Sequence, residues 1–155
     1  MPAANYNFTI EQGSSFAISF QYLDNEQNPI DITNWCARLR WKEDVIDPDT
    51  GINRIRTFVT PTISAEYAFT TIPKEGKMIL KIPADETASY DFNTANYDLE
   101  LQEPNDLYSG GGKIVFRILQ GIVTLTRPNV PDPDQPFDCD PDANNPDVHP
   151  GCGTC

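Results

Sequence analysis

A chain of 155 residues with 23 acidic and 11 basic side chains carries a formal net charge of −12. That length suffices for one domain with its own core. The charge disfavours nucleic acid and anionic membrane as direct partners, because both recruit Lys and Arg. No run of 18 apolar residues occurs, so no membrane-spanning helix is expected.

From the N-terminus, MPAANYNFTI has neither a basic n-region nor an apolar h-region. No signal peptide is expected, and a reducing cytosol is the expected place of synthesis. Period-two alternation then dominates. A first strand is expected at Tyr6–Ile10. In SFAISFQY, Phe16, Ile18 and Phe20 share one face. In WCARLRW, Trp35, Ala37, Leu39 and Trp41 oppose Cys36, Arg38 and Arg40. Cys36 is expected to be a buried or half-buried free thiol, the usual state of such a residue. Strands at Arg54–Val59 and Tyr67–Thr71 follow. In KMILKI, Met78, Leu80 and Ile82 oppose Lys77, Ile79 and Lys81. In NYDLELQ, Tyr97, Leu99 and Leu101 oppose Asp98, Glu100 and Gln102. A long last strand is expected at Lys113–Thr126, with a bulge or bend at Gln120–Gly121.

Turn chemistry separates these runs. Asp24–Pro29 and Asp47–Gly51 suit hairpin turns, Glu43–Asn53 reads as a large exposed loop, and Tyr108–Lys113 is a flexible connection. One short helix is expected at Ala84–Tyr90, after Pro83. About eight short strands, each able to bury one face, predict an all-β fold. The architecture is an antiparallel β-sandwich, immunoglobulin-like or a half-open barrel.

Composition shifts after Arg127. Residues 1–127 hold 17 acidic and all 11 basic residues; residues 128–155 hold six Asp, no basic residue and seven of the 14 prolines. The expected organisation is a β-sandwich domain at 1–127 and an extended acidic, Pro-rich arm at 128–155.

The body carries no GxSxG, HExxH, P-loop or GxGxxG pattern, and the one histidine of the chain, His149, lies in the arm. SGGGK lacks P-loop spacing and precedes a strand. No enzyme is expected.

The stretch NFTIEQGSSFAISFQYLDNEQNPIDITNWCARLRWK (Asn7–Lys42) resembles the opening of small β-rich virion proteins of contractile-tailed cyanophages. GKMILKIPADETASYDFNTANYDLELQEPNDLYSGGGKIVFRILQGIVTLT (Gly76–Thr126) looks like the second half of the same family. The fold is also similar to the N-terminal domain of upper baseplate proteins. The resemblance implies a virion building block of the tail, baseplate or neck. Its partners would be other virion proteins, in multiple copies of a symmetric assembly. A glycan-binding module exposed on a virion is the alternative.

The arm ends in DCDPDANNPDVHPGCGTC. Cys139, His149, Cys152 and Cys155 have the spacing C-x9-H-x2-C-x2-C, a donor set suited to a structural zinc ion. Three other readings stand beside it. Cys139 with Cys152 or Cys155 could close a disulfide loop worth ~3 kcal/mol. Asp138, Asp140 and Asp142 start like a calcium loop, but Ala143 stands where Gly is wanted. A solvated Pro/Asp tail holds no ion at all.

Overall fold

The computed structural model describes residues 3–104 and 113–129. The connection at 105–112 and the arm from 130, with Cys139, His149, Cys152 and Cys155, lie outside the described residues.

Among the described residues, ten strands form two sheets. In chain order they are β1 (Ala4–Asn5), β2 (Phe8–Glu11), β3 (Phe16–Gln21), β4 (Cys36–Ile46), β5 (Asn53–Val59), β6 (Thr62–Ile63), β7 (Ala68–Ile72), β8 (Lys77–Ile82), β9 (Thr94–Gln102) and β10 (Val115–Thr126). One sheet runs β1-β10-β9-β4-β5, with β2 also paired to β10; the other runs β3-β8-β7-β6. A short helix, α1 (Ala84–Ala88), leads into β9. Six of the eight ladders among the described residues are antiparallel, as the alternation predicts. β1 and β2 instead pair in parallel with β10. The first and last strands are joined through the whole domain, so no tight turn forces them to run oppositely.

The core is the sum of the inward faces. Ala37, Leu39 and Trp41 from β4 meet Tyr97, Leu99 and Leu101 from β9, and Met78, Leu80 and Ile82 from β8. All nine are buried, in the parity that their sequences show. Trp41 lies at the centre, with ring centroids 4.7 Å from Phe58, 5.8 Å from Phe92 and 6.1 Å from Tyr90. Such contacts add to the large apolar area that each aromatic removes from water. Buried Thr87 locks α1 onto the β2–β3 turn. Its hydroxyl donates to the Ser14 carbonyl at 2.8 Å and accepts the Gly13 N–H at 3.1 Å.

Four local expectations are corrected. β4 continues to Ile46, so Glu43 lies within the strand and the β4–β5 connection is a tight hairpin. The Asp24–Pro29 turn does not join two paired strands. It closes a local bridge, Leu23 to Pro29, while β3 and β4 belong to different sheets. Cys36 is an exposed free thiol, because alternation places it on the wet face with Arg38. The bulge of β10 falls between Arg117 and Leu119, not at Gln120–Gly121. Gly121 has another cause. A Cβ there would sit 2.1 Å from the Tyr6 carbonyl oxygen, so only glycine lets the N-terminal segment approach β10.

Candidate functional site

Three features of the described residues could carry function. The first is a charged cluster beneath the β4–β5 hairpin. Glu43 lies on the inward side of β4, two residues after Trp41, and its side chain has no solvent exposure. The Trp41 indole N–H donates to Glu43 Oε2 at 2.8 Å, and Arg56 Nε donates to the same oxygen at 2.5 Å. Arg54 approaches Oε1 to 3.4 Å, an ion pair without hydrogen-bond geometry, which leaves that oxygen unbonded. Arg54 also pairs with Asp91 at 2.9 Å. The Arg56 guanidinium stacks over the Tyr90 ring, 4.4 Å from its centroid. Burial holds the Tyr90 hydroxyl well above its ordinary pKa. Burial also raises the Glu86 carboxyl, which the Arg56 charge partly offsets. This arrangement immobilises a carboxylate between two guanidiniums. It suits a structural anchor better than a proton-transfer site.

The second feature is an open cleft of about 740 Å³ at one end of the sandwich, between β3 and the β1–β10 edge. Tyr22, Asp24 and Gln27 line one side; Phe116, Arg117 and Gln120 line the other. Phe116 stacks on Trp35 at 6.3 Å, and Trp35 in turn meets Tyr22 at 6.3 Å. Asp24 is the one carboxylate among the described lining residues. It already accepts the N–H groups of Glu26 and Asn28, at 2.8 and 2.9 Å. Two carboxylates facing one another, the requirement for glycoside hydrolysis, are not among these lining residues.

The third feature is the outward face of the larger sheet. β4 sets Arg38, Arg40 and Lys42 at alternate positions, a row of cations on a chain that is acidic overall. Arg38 and Arg40 share one oxygen of Glu100 on β9, at 2.9 and 3.3 Å. Arg117 on β10 approaches Asp98 to 3.6 Å. Asp44, beyond Lys42, accepts the N–H groups of Asn93 and Thr94.

Sequence reasoning placed the arginine row correctly by parity but missed the Glu43 cluster, since an ionisable residue before a turn reads as loop. The metal-ligand set named from sequence falls in the arm, outside the described residues. Among the described residues no group of three or more His, Cys, Asp or Glu is arranged to hold a metal ion. No helix among them is long and apolar enough to cross a membrane. Comparison of the chain with protein-family models and with curated proteins finds no match.

Proposed function

We propose that the chain is a structural component of a tailed-phage virion, in the tail, baseplate or neck, that assembles through its β-domain and its C-terminal arm. The sequence resemblance of Asn7–Lys42 and Gly76–Thr126 motivates this reading. One structural observation supports it: β5 is a sheet edge with apolar, β-branched side chains in water.

The Thr60 N–H donates to the Ala37 carbonyl, so residues of the same parity, Phe58 and Arg56, face β4. The Val59 N–H points the other way and reaches the Tyr67 hydroxyl at 3.3 Å. The backbone groups of Ile55 and Thr57 therefore point outward, where no described strand pairs with them. Ile55 is 55% exposed, and Ile46 and Ile52 at the hairpin end are 55% and 60% exposed. Free edge groups beside apolar side chains are a template for another chain. A virion subunit would cover them in the particle. The arm would add reach, at roughly 3 Å per residue where Pro keeps it extended, and zinc on its Cys/His set would be a structural ion.

The test is twofold. Sedimentation of the full chain over a wide concentration range should show self-association that Ile55→Asp weakens. Immunogold labelling of tailed particles from cells expressing the chain should mark one part of the particle. A monomer at every concentration, together with unlabelled particles, sinks the proposal. The cleft between Tyr22 and Phe116 favours the second reading, a module for host-surface glycans. Saccharide binding lost in Phe116→Ala and kept in Ile55→Asp would select it.

A further inference from the structure

We propose that β5 pairs antiparallel with β5 of a second copy of this chain, about a two-fold axis at Ile55, so that two large sheets become one. The inference rests on the β5 edge invoked above for assembly and adds the partner and the register.

Three observations carry it. First, the open stretch of the edge has definite ends. The Asp47 N–H donates to the Ile52 carbonyl at 2.8 Å, so Asn53, the next residue, turns its backbone groups away from β4. Ile55 and Thr57 follow in the same parity. Val59 comes next, and its N–H is already given to the Tyr67 hydroxyl at 3.3 Å. The groups left open are those of Asn53, Ile55 and Thr57, and Ile55 is their midpoint. An antiparallel seam centred there sets Ile55 against the second copy's Ile55, and Asn53 against its Thr57. Each such pair exchanges two N–H···O bonds, about six in all.

Second, the side chains at the seam suit burial. Ile46, Ile52, Ile55 and Val59, four of the ten large hydrophobics exposed among the described residues, lie on the β4–β5 hairpin. The axis places Ile55 beside its own copy on the outward face, a β-branched cross-strand pair.

Third, charge permits this register and this occupant. On the inward face Arg54 comes opposite the second copy's Arg56. Both arrive with counter-charges: Asp91 lies 2.9 Å from Arg54, and Glu86 lies 3.9 Å from Arg56. With Glu43, each copy holds three carboxylates around these two guanidiniums, so no excess positive charge meets at the seam. An axis at Arg56 would set that cation against itself, and one at Thr57 would need the Val59 N–H that Tyr67 holds. The Arg38–Arg40–Lys42 row lies three strand spacings from its copy, about 14 Å. That exceeds the screening length of about 8 Å at physiological salt. Residues 128–155 are a poorer occupant, because seven prolines there lack the N–H that an edge takes up. The seam is short, at the low end of interface sizes, so the dimer is weak and forms at high concentration.

Amide hydrogen exchange of the full chain, compared between dilute and concentrated samples, tests the seam. From about 20 μM to about 1 mM chain, the Asn53, Ile55 and Thr57 amides should slow roughly tenfold. The Arg56 and Phe58 amides, which face β4, should hardly change. In a mixture of isotope-labelled and unlabelled chains, filtered spectra should show a methyl contact from Ile55 of one copy to Ile55 of the other. Ile55→Pro removes the N–H at the axis without touching a bond to β4. It should abolish the slowing at Asn53 and Thr57 and leave the β3–β8 amide resonances in place. Slow exchange at every concentration would mean that the chain covers its own edge, and fast exchange at every concentration would mean that no copy does. Either result, or slowing that survives Ile55→Pro, overturns the proposal. Particles still marked by immunogold would then keep the virion reading without this seam.

Discussion

The indole N–H of Trp41 and the carboxylate of Glu43 are two residues apart on one strand face, and a 2.8 Å hydrogen bond joins them inside the core. Glu43 is thereby tied to the largest buried side chain and to the two arginines of β5. Glu43→Ala should lower unfolding free energy by about 2–4 kcal/mol, because it strips the partner from buried donors and cations. Glu43→Gln, which can still accept from Trp41, should cost less. Urea unfolding followed by Trp fluorescence checks both. A loss under ~1 kcal/mol would mean that the arginines find water instead.

Tyr97 donates its hydroxyl to the Tyr6 carbonyl at 2.6 Å, and burial pushes its pKa up to about 12. Tyr90 is raised for the same reason. Burial keeps both hydroxyls neutral in the folded chain, while an unfolded tyrosine ionises near pH 10. Between about pH 10 and 12 the unfolded state therefore holds fewer protons. This contribution to stability is complete below pH 10 and is lost as pH rises through the folded values. Absorbance titration at 295 nm should show two of the six tyrosines ionising late, together with unfolding. Tyr97→Phe should leave one.

Gly121→Ala should force the Tyr6 backbone away from β10. The cost expected for such overpacking is about 1–3 kcal/mol. The specific sign is faster hydrogen exchange at the Tyr6 amide, which donates to the Gln120 carbonyl at 2.9 Å. Amides in the β3–β8 ladder should be unaffected. Equal acceleration everywhere would indicate global destabilisation instead.

Cys36, exposed on the wet face of β4, should react with a thiol reagent in the native state, and Cys36→Ser should change stability by less than about 0.5 kcal/mol. That variant is the background in which to count metal. With zinc held by Cys139, His149, Cys152 and Cys155, about one ion per chain should remain in Cys36→Ser and be lost in His149→Ala. Metal-free protein with three titratable thiols in Cys36→Ser would refute the zinc proposal.

The inward rows Trp41–Leu39–Ala37, Tyr97–Leu99–Leu101 and Met78–Leu80–Ile82 were legible because a half-buried strand writes its burial into every second residue. Cys36 was misjudged although parity put it with Arg38 and Arg40, because its residue type argued for burial. Glu43 was hidden because its burial depends on Arg54 and Arg56, whose register against β4 no local pattern states. Gly121 was hidden for a related reason, since the atom it makes room for belongs to Tyr6, 115 positions away. Sheet membership was equally silent. The residues of β3 and β4 say that each buries one face, not that the chain crosses from one layer to the other between them.

The parallel seam between β2 and β10 ties Phe8–Glu11 to Val123–Thr126. On the ribosome, the N-terminal strand cannot find its neighbour until almost the whole domain has been made. Phe8 and Ile10, both core residues, must wait through that interval. Closing a loop of this length before any contact rewards it makes for slow, late docking. A nascent chain stopped before Val115 would present β9 as a bare edge and leave Phe8 and Ile10 in search of cover, which makes that stage the one at which a chaperone would be needed most.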